Sequence, residues 1–182
     1  MPILRRLRPT DALDVAFIRA AAWQSAYRGI LPGRYLARLR AAPQVPYWRA
    51  RLARADELGW GIQVGAHLVG YATAGPCRDP DLDEGFSAEL YELYVHPRMQ
   101  RRGLGREMML HVWSELEAEP FRWGVLWVLA DNVAARRFYE RCGLVADGQR
   151  RMFTVAGKRV PAVRYSLPLN PVDPLKALAG SA

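Results

Sequence analysis

The sequence predicts an α/β fold built on a mixed sheet, and three observations carry that prediction. Segments with strand-like patterning alternate with segments of helical period along most of the chain. Trp123 to Ala130 is an almost unbroken apolar run between two helical patterns, as expected of a strand covered on both faces. A glycine-containing loop at 100–105 joins a strand to a helix. At 182 residues, the chain fits one domain, read as 1–168, followed by a tail at 169–182.

The elements follow in order. Ile3 to Arg8 reads as a first strand ended by Pro9, and Thr10 or Asp11 can cap the next helix. Leu13, Ala16, Phe17, Ala20, Trp23 and Tyr27 mark that helix's apolar face, and Gly29 stops it. Short helices are expected at Pro32–Leu39 and Pro46–Ala55. Trp60–Val64 and His67–Ala74 form a hairpin about Gly65-Ala66, and a Pro/Asp/Gly-rich loop runs from Pro76 to Gly85. Ser87–Val95 is the next strand. A helix over about 103–119 carries Leu104, Met108, Val112 and Leu116 on one stripe. After the 123–130 strand, a helix at about 132–142 ends at Gly143. Arg150–Val155 and Val160–Leu167 close the domain as a hairpin, and the segment beyond Pro168 reads as a loosely attached tail.

The formal net charge of +8 comes almost entirely from arginine, since Lys158 and Lys176 are the only lysines. These charges are scattered rather than gathered into a basic run, which fits a solvated surface better than a nucleic-acid footprint. An attraction to anionic ligands still follows. No apolar run approaches the roughly 20 residues needed to span a bilayer, and no signal-peptide pattern follows Met1, so a cytoplasmic location is expected. Cys77 and Cys142 make neither a disulfide framework nor a metal cluster, and His67, His96 and His111 are isolated, so no metal is expected.

The most informative stretch is Glu89-Leu-Tyr-Glu-Leu-Tyr-Val95, then His-Pro-Arg-Met, then Gln100-Arg-Arg-Gly-Leu-Gly105-Arg106. Glycines at 103 and 105 let backbone approach a ligand closely, and the helix start behind them presents unpaired N–H groups. Arg101, Arg102 and Arg106 add positive charge, so the loop is an anion site suited to a pyrophosphate. It lacks the third glycine of a dinucleotide fingerprint and the Gly-Lys-Ser/Thr of a P-loop.

Gln100-x-x-Gly103-x-Gly105 after a strand ending Leu93-Tyr94-Val95 resembles the cofactor motif of the GNAT N-acetyltransferase superfamily. Asn132-x-x-Ala135-x-x-Phe138-Tyr139-x-x-x-Gly143-Leu144 is similar to that superfamily's later helix motif. Ala22 to Pro32 is similar to the first helices of many bacterial members, and the resemblance spans roughly 3–168. It implies a mostly antiparallel sheet splayed at its centre, with acetyl-CoA as cosubstrate. Its pantetheine would lie along Leu93, Tyr94 and Val95, and its pyrophosphate on residues 101 to 106, Leu104 included. Gln100, Ala135 and Phe138 belong to the same implied site. Asn132 would either hold the pantetheine arm or cap its helix.

Aminolysis of a thioester needs a neutral amine, a stabilised oxyanion and a proton for the departing thiolate. The resemblance makes Tyr139 the proton donor, with direct transfer and no covalent enzyme intermediate. For the base, Glu89 ranks first by its family position and Glu92 second, with His96 third. Strand alternation puts the two carboxylates on opposite faces unless a bulge falls between them. The acceptor is an amine on a small molecule or a protein, and a homodimer is compatible with this reading. Trp23, Tyr27, Tyr35, Tyr47 and Trp48 are candidates to line its pocket. Asp79, Asp81, Asp83 and Glu84 are candidates to attract a cationic amine. A non-catalytic acyl-CoA sensor, or a basic nucleic-acid-binding domain, is the alternative.

Overall fold

The structure is a computed structural model and describes residues 1–55, 57–118 and 120–169. Strands β1 (Ile3–Arg6), β2 (Leu58–Val64), β3 (His67–Pro76), β4 (Ser87–Val95), β5 (Trp123–Leu129), β6 (Val145–Val155) and β7 (Lys158–Pro168) form one seven-stranded sheet. Their order is β1-β2-β3-β4-β5-β7-β6. All neighbours are antiparallel except β4 and β5. The helices are α1 (Ala12–Ala26), α2 (Gly33–Arg38), α3 (Val45–Arg51), α4 (Leu104–Glu117) and α5 (Val133–Arg141). The mixed α/β architecture expected from the sequence is therefore present, with the parallel pair at the sheet's centre.

Helix α4 buries the expected stripe, Leu104, Met108, Val112 and Leu116, together with Met109 and Trp113. These pack with Ala72, Ala88, Leu90, Leu126 and Val128 into the main core, against which Phe138 and Tyr139 of α5 also lie. The opposite face of the sheet is covered by α1 and α3, where Val15, Ile18 and Trp48 pack with Tyr71. A third cluster joins Leu31 and Leu36 to Val160, fastening the α1–α2 segment to the β6–β7 hairpin.

Several expectations need correction. Leu13 and Phe17 are each 56% exposed, because α1 turns Ala12, Val15, Ala16 and Ile18 toward the sheet instead. Asp11 does not cap α1 through its side chain; its carboxylate accepts from the Arg8 N–H and receives the Arg5 guanidinium at 2.8 and 2.9 Å. β6 begins at Val145 rather than near Arg150, since an irregularity between Ala146 and Arg150 interrupts the pattern that would have revealed it. Of the tail placed at 169–182, only Leu169 lies within the described residues, and it is buried in the main core.

Candidate active site

Sheet geometry creates the site. The parallel β4–β5 ladder pairs Ser87 with Trp123 through Leu90 with Leu126 and then stops, while β3 remains paired with β4 out to Val95. Leu93, Tyr94 and Val95 therefore keep their β3 partners but have no β5 partner. The β3–β4 register also shifts, with Thr73 opposite Glu92 and Ala74 opposite Leu90, so Tyr91 is the extra residue of a bulge. One additional residue reverses the alternation. Ala88 and Leu90 before the bulge, and Leu93 and Val95 after it, all pack in the α4 core. Glu89 and Glu92 consequently share the other face, the exception to strand alternation that a bulge between them creates.

The two carboxylates are nevertheless held differently. Glu92 binds the Arg51 guanidinium at 3.1 Å, lies 3.4 Å from Arg19 Nε and accepts the Tyr71 hydroxyl at 2.5 Å. Arg51 in turn reaches Glu57 at 2.6 Å and Thr73 at 3.1 Å, so Glu92 is a strut tying β4 to α1 and α3. Glu89 is buried, and its Oε2 accepts the Arg78 backbone N–H at 3.1 Å, with Arg78 Nε at 3.5 Å. Arg78, Arg19 and Arg51 escaped the sequence reading. Arg19, a charge flanked by buried Ile18 and Ala20, was the legible hint of a buried ionic partner.

Beside the β4–β5 gap stands the loop of residues 100–103. Gln100 Nε2 donates to the Val95 carbonyl at 3.0 Å, tying the loop to its strand. Arg101 and Gly103 have φ of 61° and 81°, and Gly103 is the N-cap of α4. Glycine adopts this left-handed backbone without the penalty a Cβ imposes. A Cβ at Gly105 would lie 3.5 Å from the Phe138 ring, so α5 packs directly over the start of α4. Arg101, Arg102 and Arg106 are exposed around this turn, and no carboxylate among the described residues pairs with them. Asn132 is buried, and its Oδ1 accepts the Ala135 N–H at 3.2 Å as the N-cap of α5. Ala135 sits in the first turn of α5 and packs against the core.

Tyr139 lies on α5 with its ring 5.3 Å from Phe138 and 6.4 Å from Tyr165. Burial raises its pKa well above the ordinary 10.0, with the Tyr27 phenol and Cys142 contributing after it, so the hydroxyl is a neutral donor at neutral pH. Tyr27, from the opposite side of the sheet, shares a hydrogen bond of 3.1 Å with the Tyr94 hydroxyl. Tyr139 on α5 thus feels the Tyr27 phenol, which follows the end of α1 and is bonded to Tyr94 of β4. His96 makes a local cap instead, its Nδ1 accepting from the Arg98 N–H at 3.3 Å and its ring stacked on Phe17. Burial and then Arg98 lower its pKa.

The acceptor-side expectations fare unevenly. Trp48 is fully buried, whereas Trp23 contacts both Tyr27 and Tyr35 in an aromatic series between α1 and α2. Tyr47 is exposed beside Arg51. Asp79 is buried and taken by the Trp127 indole at 2.7 Å, Arg151 at 2.8 Å and Arg164 at 3.1 Å. Arg164 also binds Asp81 at 3.0 Å. Asp79 is therefore an internal anchor of the 77–86 loop, and Asp81, though exposed, is tied down by Arg164, so neither is a free lure for a cationic amine. Asp83 turns back to the Gly85 N–H at 2.7 Å, and Glu84 is exposed. Among the described residues, no group of three or more His, Cys, Asp or Glu is arranged to hold a metal, and no helix is long and apolar enough to cross a membrane.

A splayed parallel pair with a glycine turn and helix start at its mouth defines an acyltransferase-like fold. The chain belongs to the acetyltransferase (GNAT) family, whose family model matches residues 20–144. It is 27% identical over 175 residues to the uncharacterized N-acetyltransferase YuaI of Bacillus subtilis, covering 92% of this chain and 94% of that protein. It is 37% identical over 90 residues to the [ribosomal protein bS18]-alanine N-acetyltransferase of Salmonella typhimurium, covering 49% of this chain and 59% of that protein. Among solved structures, yncA of Salmonella typhimurium, a putative acetyltransferase determined with its cofactor acetyl-CoA, superimposes with a TM-score of 0.70. That pair shares 20% identity over 93% of this chain and 95% of the other, a likeness of fold.

Proposed function

We infer that this protein transfers an acetyl group from acetyl-CoA directly to a primary amine while both are bound. The observation that carries this reading is the end of the β4–β5 ladder after Leu90 and Leu126, beside a glycine turn that opens α4. The open β4 edge at Leu93, Tyr94 and Val95 fits an extended pantetheine arm, which can pair like an added strand. The turn at Gly103 and Gly105, with Arg101, Arg102 and Arg106 about it, fits a pyrophosphate. Gln100 holds that turn against Val95, and Leu104 and Phe138 pack behind it. Asn132 spends its side-chain oxygen on the helix cap and keeps its amide donor for the ligand.

Acetyl-CoA supplies an activated thioester. The chain's own groups then divide the work. Tyr139, neutral and buried, gives its proton to the departing sulfur. The Val95 region of β4 offers backbone donors for the carbonyl oxygen. Glu89 takes the proton of the incoming ammonium directly or through one water. Glu92, engaged by two guanidinium groups and a phenol, serves as the structural strut that keeps β4 bulged. A protein amine is the favoured acceptor, because the relative that is 37% identical over 90 residues is named for acetylating a protein alanine.

Coenzyme A should bind and raise the melting temperature by mass action. Gly103→Glu tests the site sharply: a Cβ there meets nothing within 4 Å, so the substitution acts through φ of 81° and charge, not through a clash. Affinity should fall about 100-fold or more, from backbone strain and anion repulsion combined. An equal thermal response in the parent and the variant would reject the cofactor assignment.

A further inference from the structure

Two large clefts open on the molecule, and they differ in charge balance. One, of about 530 Å³, includes Arg51, Arg78, Glu57 and Glu92 in its wall. Its cations are compensated: Arg51 meets Glu57 at 2.6 Å and Glu92 at 3.1 Å, and Arg78 lies 3.5 Å from Glu89. The other, of about 610 Å³, lies between α2 and the turn of the β6–β7 hairpin, and its lining includes Arg34, Arg38, Lys158 and Tyr35. No carboxylate lines it. Among the described residues none of its three cations has an ion pair, and Lys158 Nζ donates only to the Ile30 carbonyl, at 2.7 Å.

We propose that this second cleft binds the negatively charged chain of the acceptor, so that the amine's carrier is an acidic peptide segment. Three like charges around one concavity repel one another and focus a positive potential outward, a state that an anionic occupant relieves. A series of side-chain contacts joins the wall of the cleft to the open β4 edge. Tyr35 on its wall contacts Trp23, Trp23 contacts Tyr27, and the Tyr27 hydroxyl bonds Tyr94 on the open β4 edge. The Lys158–Ile30 bond fixes the hairpin turn to the α1–α2 segment, so the three cations share one rigid frame. A peptide laid along this wall would place several carboxylates against Arg34, Arg38 and Lys158 while its amino terminus reaches toward Glu89. Three cations confined to one cleft suit a short acidic segment better than the long phosphate track of a nucleic acid. This inference rests on the transferase reading of the same site.

The test uses three peptides of equal length, each with a free alanine amino terminus followed by a run of glutamate, glutamine or lysine. With acetyl-CoA and the full chain, kcat/KM should be about tenfold higher for the glutamate peptide than for the glutamine peptide, and lowest for the lysine peptide. Added salt should narrow the spread. The Arg34→Glu/Arg38→Glu double variant should reverse that order, with its coenzyme A melting shift unchanged. Equal rates for the three peptides, or an unchanged order in the variant, would overturn the acidic-chain inference and leave the transferase reading standing. If no peptide is acetylated, anisotropy of the labelled glutamate peptide on the coenzyme A-loaded protein decides the matter. Binding that the double variant loses supports the cleft while the peptide-transferase reading fails, and no binding overturns both. Preferential capture of a single-stranded oligonucleotide of equal charge overturns the peptide commitment.

Discussion

The proposed donor side and the proposed acceptor side of the central gap are built in opposite ways. Nearly every group on the donor side comes from 93–106 and 132–139, two short stretches whose roles depend on local backbone: a strand edge, a glycine turn and two helix starts. The acceptor side draws Arg19 from α1, Tyr27 from just beyond its end, Arg51 from α3, Arg78 from the 77–86 loop and Lys158 from the closing hairpin. Its chemistry depends on long-range contacts: Arg19, Arg51 and Arg78 face Glu92, Glu57 and Glu89, whereas Lys158 bonds the Ile30 carbonyl. Local geometry shapes the proposed cofactor side, and distant pairings shape the proposed acceptor side.

The largest effect should come from Tyr139, the proposed proton donor. Tyr139→Phe removes only a hydroxyl, and it should lower kcat by about 10²–10⁴-fold with a much smaller change in acetyl-CoA binding. Because burial raises this phenol's pKa above 10.0, it stays protonated through the neutral range, and any alkaline loss of activity from its ionisation should begin only above that value. Full turnover in the variant would reduce Tyr139 to packing and erase the asymmetry.

The two carboxylates sharpen the comparison at the boundary. Glu89→Gln should depress kcat/KM at neutral pH by about 10–100-fold, with partial rescue at high pH where the amine deprotonates unaided. Glu92→Gln should leave the shape of that pH profile intact. It should instead lower stability by about 2–3 kcal/mol, because Arg51 and Arg19 lose a partner in a largely buried site. A pH–rate series combined with thermal melts separates the roles, and the reverse pattern transfers the base to Glu92.

The same contrast governs what was legible in the sequence. The α/β class, the glycine turn and the order of the helices follow from local pattern, and the structure has them. The faces of Glu89 and Glu92 did not follow, because a bulge at Tyr91 shows only in the register against β3. Nor did the fate of Asp79 and Asp81, since their partners Arg151 and Arg164 lie more than eighty residues away for the latter and 72 for the former pair. Acids clustered in a loop look solvated until a distant strand supplies the arginines.

The smallest expected effect lies far from the gap. Arg5 first, then the Arg8 N–H, hold the Asp11 carboxyl below its ordinary 3.8, against the opposing effect of burial. A lowered folded pKa adds stability that is complete above the unfolded value and lost as pH falls through the folded one. Asp11→Asn should therefore cost about 1 kcal/mol at neutral pH. The difference from the parent should shrink below about pH 4, which acid melts of both proteins would measure without any change in acetyl-CoA affinity.

The central claim, transfer across the gap from one side to the other, is tested most directly by following free thiol release from acetyl-CoA against a panel of primary amines. The expected result is amine-dependent release, with one acetylated amine formed for each thiol and the signal nearly abolished in Tyr139→Phe. Coenzyme A binding accompanied by no amine-dependent release from any small-molecule or peptide amine would contradict it.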